Sequence, residues 1–294
     1  MILDAPDRAR QLLVEQRSFV ADVEATAKKG PLGLSRDSLG HLNVTLHSPS
    51  PTRGRTVNIS LADLPSVLPT DHILAINQPK ADLHTRRDYA WNGMTFDLPP
   101  GVFHPGETSR MLHQRLLDGG IETRGRRYAA MGVGGGVEAV AAGLRGAGTV
   151  YALDVHPASV AATERHYRTH VGARSGTRLV PLVSDLFDAL PDGTRLDVVT
   201  FNPPAVSQPV SDDPDVVRNV CVGASLVTRF LDQLVDRDLL AEQGEVFLIL
   251  SNTADLRAII GHAVERGFAV TVHHRHDWHD GVVTFLFRLT GGRP

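Results

Sequence analysis

Apolar residues follow different spacings in different parts of this chain. Over residues 3–28, Leu12, Leu13, Val20 and Val23 recur at roughly helical intervals, behind Asp4 and Asp7 and ahead of Lys28-Lys29-Gly30-Pro31. Acids at the start, cations at the end and a glycine before a proline predict a helix there. From 41 to about 100 the apolar runs are short and β-like, Leu42-Asn43-Val44-Thr45-Leu46 and Val57-Asn58-Ile59-Ser60-Leu61, with Pro51, Pro65, Pro69 and Pro79 between them. Leu98-Pro99-Pro100-Gly101 reads as a hinge. The prediction is a small α+β domain over 1–96 and a second domain over 97–294.

Beyond the hinge, helical and strand-like segments alternate, which is the pattern of an α/β domain. Helices are expected at 107–118, 137–145, 157–171, 216–240 and 253–266. Strands are expected at 127–132, 149–154, 178–184, 196–201, 245–251, 268–274 and 282–289. The last two lie too close for a crossover helix, so they form a hairpin and the final strand runs antiparallel to the rest. The expected fold is a Rossmann-like seven-stranded sheet.

Composition narrows the function classes. With 294 residues, 42% of them hydrophobic, the chain can bury one large core or a large and a small one. A formal net charge of −3 supplies no global positive field, which argues against a nucleic-acid partner. The single cysteine, Cys221, excludes an internal disulfide and a cysteine-based zinc site. Its neighbours Val220 and Val222 predict a small buried hydrophobe. No uncharged apolar stretch approaches the ~18 residues of a membrane span. Asp4, Asp7 and Arg8 precede any apolar run, so no signal peptide is expected and the expected location is the cytoplasm.

Candidate chemistry collects at the strand ends. Gly132, Gly134 and Gly136 follow an apolar strand and open a helix, where a ligand can approach the backbone closely. Val137 stands where a dinucleotide fingerprint needs its third glycine, so the G-x-G-x-G spacing fits S-adenosylmethionine better. Asp154 ends the next strand, about 20 residues on, where an acid can accept from both ribose hydroxyls. Val155 would pack on the adenine. Asp185 is placed to accept from the adenine amino group and Leu186 to cover the ring. Read singly, Asp154 has an ordinary surface acid as its competing reading, which its position disfavours, while Asp185 is equally a turn cap. The next strand breaks at Asn202-Pro203-Pro204. The Asn202 amide oxygen and the Pro203 carbonyl can take both protons of a substrate –NH2 and aim its lone pair at an activated methyl group. Pro204 and Ala205 continue toward the acceptor.

Residues 97–290 resemble the class I methyltransferases that include the release-factor glutamine methyltransferases (the HemK group) and the ribosomal RNA guanine methyltransferases with the "small" methyltransferase domain. Besides the glycines, Val183-Ser184-Asp185-Leu186-Phe187-Asp188-Ala189-Leu190, Leu196-Asp197-Val198-Val199-Thr200-Phe201-Asn202-Pro203-Pro204 and Pro100-Gly101-Val102-Phe103-His104-Pro105-Gly106-Glu107-Thr108 carry the likeness. The resemblance implies S-adenosylmethionine as cofactor and an N-terminal domain that selects the substrate. Two departures stand out. The usual acid two residues before the first glycine is Ala130, which leaves Glu107 or Glu138 to hold the methionine end. The aromatic residue that follows Asn-Pro-Pro in the family is Ala205, which argues for an acceptor bulkier or less planar than a nucleobase or a glutamine amide.

The leading expectation is therefore N-methylation of a small molecule or peptide. The alternatives are a macromolecular acceptor, either protein glutamine or ribosomal RNA, and a non-catalytic binding module on the same fold. Oligomeric state is not legible. One cluster remains: His273, His274, His276 and His279 lie with Asp277 and Asp280 in one short stretch. Strand alternation sends neighbours to opposite faces, so no metal site is expected. A turn at the carboxyl edge of the sheet would instead place Trp278 and His276 at the substrate mouth, with an exposed polar hairpin as the competing reading.

Overall fold

The computed structural model describes residues 60–172 and 176–292, together with the backbone of strands at 32–36, 42–46 and 57–58. The helix expected over 3–28 lies outside the described residues. The chain divides into two compact units, Met1–Arg55 and Thr56–Pro294. In the first, β1 (Leu32–Arg36) and β2 (Leu42–Leu46) pair antiparallel, with Leu32 opposite Leu46.

The division falls at 55/56 and not at 96/97, because the segment ahead of the expected hinge belongs to the second unit's core. A strand of two residues, β3 (Val57–Asn58), leads through a 3₁₀ turn at Leu61–Asp63 to α1 (Thr70–Ile76), whose Ile73 is fully buried. Then β4 (Arg87–Trp91) and β5 (Met94–Leu98) form an antiparallel hairpin. Its Tyr89, Phe96 and Leu98 share one buried cluster with Leu112 and Leu116 of α2 (Glu107–Asp118). Removing that apolar surface from water joins the hairpin to the main sheet.

The rest of the unit alternates: β6 (Arg127–Met131), α3 (Val137–Leu144), β7 (Thr149–Asp154), α4 (Pro157–His170), β8 (Arg178–Val183) and β9 (Leu196–Phe201). There follow α5 (Pro214–Val220), α6 (Ala224–Asp236), β10 (Leu240–Ser251), α7 (Leu256–Glu265), β11 (Phe268–Asp277) and β12 (Val283–Gly291). The sheet order is β3-β11-β12-β10-β9-β6-β7-β8. Strands β6 to β10 are parallel, and β12 is antiparallel to both β10 and β11, as the close spacing of the last two strands required. Apart from β3 this is the expected seven-stranded sheet. Its order reverses between β6 and β9, and ligands of open α/β sheets bind at such a switch point, outside the carboxyl ends.

Period-two alternation builds the two buried layers. Ala129, Met131, Val199, Phe201, Val246 and Leu248 face the cluster that holds Phe230 and Leu231 of α6 and Ile259 of α7. Tyr128, Ala130, Val198, Phe247 and Ile249 face the cluster of α2 and α3. The helix expected over 216–240 is two helices. At Cys221 the backbone leaves the helix to bridge with Ala205, and Gly223 takes φ 89°. Cys221 is accordingly only half-buried, not the buried hydrophobe expected of it.

Gly136, at the N-cap of α3, has φ 86°, and a Cβ there would lie 2.8 Å from Cα of Thr163 in α4. Both the left-handed backbone and the close helix approach require glycine. Gly136→Ala should destabilise the protein by about 1–3 kcal/mol, the cost of a strained backbone position. Denaturant unfolding with an unchanged midpoint would refute this.

Candidate active site

The turns after β6, β7, β8 and β9 line one cavity of about 880 Å³, near the upper end of small-molecule sites at roughly 300–1,000 Å³. Gly132 and Gly134 line it, with φ 64° and 52°. A Cβ on Gly132 would press on the Phe201 ring at 3.3 Å, whereas a Cβ on Gly134 would meet nothing within 4 Å. Gly134 thus presents bare backbone to the cavity. Gly136 does not line it, and its structural task is the helix contact described above. The turn is held from behind by His166, a residue the sequence did not single out. Its Nε2 accepts from the Asp97 N–H at 3.0 Å, so Nδ1–H donates to the Gly135 carbonyl at 2.7 Å. Burial lowers the pKa of His166, which favours the neutral ring this pairing needs.

Asp154 ends β7 facing the same turn. Its Oδ2 accepts from the Gly134 N–H at 2.9 Å and its Oδ1 from the His156 N–H at 2.8 Å. Burial raises its pKa and these two bonds oppose the rise. Each oxygen keeps a lone pair for a ligand hydroxyl. Val155 also lines the cavity and is 55% exposed, an apolar surface waiting for a planar partner. After β8, Asp185 lines the cavity but is not free, because Arg229 of α6 pairs with it at 2.7 Å and both side chains are half-exposed. Leu186 is buried with φ 48°, an outlying conformation for a leucine. Side chains of α6 hold that turn, with Gln233 accepting from the Phe187 N–H at 2.9 Å.

After β9, the Asn202 amide nitrogen donates to Oγ of Ser109 at 3.1 Å. Ser109 is buried on α2, only 3% exposed, and lines the cavity. This pairing fixes the amide plane and leaves the Asn202 oxygen as the free acceptor. The two proline carbonyls are not free as expected. Pro203 O accepts from the Ala205 N–H at 2.8 Å and Pro204 O from the Gly223 N–H at 3.1 Å. A carbonyl has two lone pairs, so Pro203 retains one for an acceptor. Pro203, Pro204 and Ala205 all line the cavity.

His276 and Trp278 are not among the lining residues. β11 does end at the carboxyl edge, but three inter-strand steps separate it from β9, about 14 Å at ~4.8 Å per step. Trp278 packs edge-on to His276 at 4.2 Å and donates to Oγ1 of Thr284 at 2.8 Å. The turn itself is pinned by Asn252, which donates to Gly281 O and accepts from the Val283 N–H. In its place, the stretch from Ile76 to Leu83 contributes to the cavity wall, a segment with no sequence motif to announce it. His84 ties that stretch to α5 through Asp213 at 2.6 Å, and this contact lowers the Asp213 pKa.

No protein-family model matches the chain. Over 188 residues it is 24% identical to a Methanocaldococcus jannaschii protein provisionally named protein N5-glutamine methyltransferase, covering 62% of this chain and 89% of that one. Over 136 residues it is 32% identical to the release factor glutamine methyltransferase of Burkholderia pseudomallei, covering 46% of this chain and 47% of that one. The chain thus spans most of the first relative and about half of the second. Among solved structures, the 16S rRNA N2 G1207 methyltransferase of T. thermophilus, in complex with AdoMet and guanosine, is similar at a TM-score of 0.49 and 20% identity. That likeness covers 70% of this chain and 50% of that one.

The chain is an S-adenosylmethionine-dependent methyltransferase. Among the described residues no helix is long and apolar enough to cross a membrane.

Proposed function

We propose that this methyltransferase acts on the nitrogen of an –NH2 group carried by a small molecule or a peptide. The carrying observation is Asn202, whose amide is oriented by buried Ser109 so that its oxygen is the acceptor at the cavity. The cavity fits S-adenosylmethionine: bare backbone at Gly134, a half-buried carboxylate at Asp154 and an exposed apolar face at Val155. Bound there, the cofactor supplies a methyl group on sulfonium, with a neutral thioether as leaving group. Asn202 Oδ1 and the remaining lone pair of Pro203 O accept the two N–H bonds of the acceptor. That leaves the nitrogen lone pair directed at the methyl carbon. A methyl group so activated would form its C–N bond as its C–S bond broke, and one proton of the acceptor nitrogen would pass to solvent.

The acceptor class rests on Ala205. It is 5% exposed and bridges Cys221, so no aromatic platform follows the prolines to stack a planar base or amide. A second reading, a glutamine side chain on a protein, has the names of both curated relatives behind it. Net charge does not exclude RNA, since Lys80, Arg110, Arg218 and Arg229 stand at the cavity whatever the total. Transfer of labelled methyl from S-adenosylmethionine to a panel of small amines and amides, glutamine peptides, intact release factor and ribosomal RNA separates these readings. Labelling confined to small molecules and peptides is expected. Labelling confined to intact release factor or to RNA would overturn the acceptor assignment, and methyl recovered on oxygen or carbon would overturn nitrogen transfer.

A further inference from the structure

Among the described residues five carboxylates line the cavity, and four of them are committed. Asp82 pairs with Arg87, Glu107 with Arg110 and Asp185 with Arg229, while Asp154 is held by backbone N–H groups. Glu138 differs. It sits in the first turn of α3, directly after the glycine turn, and its side chain is 14% exposed. Its Oε1 meets Nε2 of His113 on α2 at 3.2 Å, and its second oxygen has no partner among the described residues. His113 is itself 2% exposed, packed against Tyr89 and Trp91, and its Nδ1 has no hydrogen-bond partner among the described residues. A buried imidazole whose hydrogen bonding is spent on one carboxylate is a costly feature for packing alone. Ala130, where the resemblance leads to the expectation of an acid, is buried and carries no polar group.

Resting on the cofactor reading above, we infer that Glu138, positioned by His113, binds the α-ammonium group of the methionine part of S-adenosylmethionine and replaces the acid absent at Ala130. The free oxygen accepts from the ammonium while His113 holds the other oxygen, fixing the carboxylate against rotation. Asp154, which accepts from the Gly134 N–H within the glycine turn, is left to the ribose.

Calorimetry on the full chain tests this with two ligands. Adenosylhomocysteine carries the amino-acid part, and 5′-methylthioadenosine keeps adenosine and sulfur but lacks it. Glu138→Gln should weaken adenosylhomocysteine on the order of 10- to 100-fold, as expected for losing a hydrogen-bonded charged partner, and leave 5′-methylthioadenosine within about threefold. His113→Ala should show the same selectivity with a smaller loss. Equal weakening of both ligands, no weakening of either, or the selective loss appearing in Glu107→Gln instead would overturn the assignment. If the unaltered protein bound neither compound, the cofactor reading itself would fall, and the inference with it.

Discussion

Asn202→Ala should reduce the methyl-transfer rate by about a hundredfold or more while leaving adenosylhomocysteine affinity within about threefold. Positioning effects of this kind reach ~10²-fold for misplacements near 1 Å, and a loss confined to the chemical step marks an interaction made with the reacting group. The structure adds a reason for the separation. Asn202 reaches across to Ser109 on α2, whereas the residues proposed to grip the cofactor lie on the turns after β6 and β7. Ser109→Ala should fall between Asn202→Ala and the unaltered protein, because the amide would keep its position but lose its fixed orientation. Single-turnover rates alongside calorimetry make the distinction. A near-normal rate in Asn202→Ala would end the nitrogen-orienting role.

The second large effect is at Asp154. Asp154→Ala should weaken adenosylhomocysteine by about 1.5–3 kcal/mol, the range for hydrogen bonds to a charged group. The loss has two sources in this structure. The proposed ribose acceptor disappears, and so does the partner that holds the Gly134 N–H at 2.9 Å and shapes the glycine turn. Asp154→Asn keeps one oxygen acceptor and should lose less. The two ligands of the Glu138 experiment report differently here, because both contain the ribose and both should weaken together in Asp154→Ala. Unchanged calorimetric affinity would remove Asp154 from the site.

Several features were written locally and could be read without coordinates. The ends of β6, β7, β8 and β9 were legible because parallel strands are short apolar runs, largely buried except at the edge strand β8, and the chain marks their ends with Gly132, Asp154, Asp185 and Asn202. The antiparallel β12 followed from a connection too short for a crossover. One legible signal went unread. Asn92-Gly93, between Trp91 and Met94, is a two-residue hairpin turn with φ 50° and 72°, the pair best suited to such turns. It would have shown β4 and β5 and moved the domain boundary back from residue 96.

What lay beyond the local pattern depends on which segments the fold brings together. Ser109 and Asn202 are 93 residues apart, and Arg229 and Asp185 are 44 apart, so no spacing rule pairs them. His276 and Trp278 show the same limit from the other side. Their turn does lie at the carboxyl edge, as topology implies, yet the insertion of β12 and β10 between β11 and β9 carries it away from the cavity. Strand type and direction arise from side-chain periodicity and loop length, which are local. Distance from a site arises from strand order and helix packing, where burial is optimised across the whole sheet.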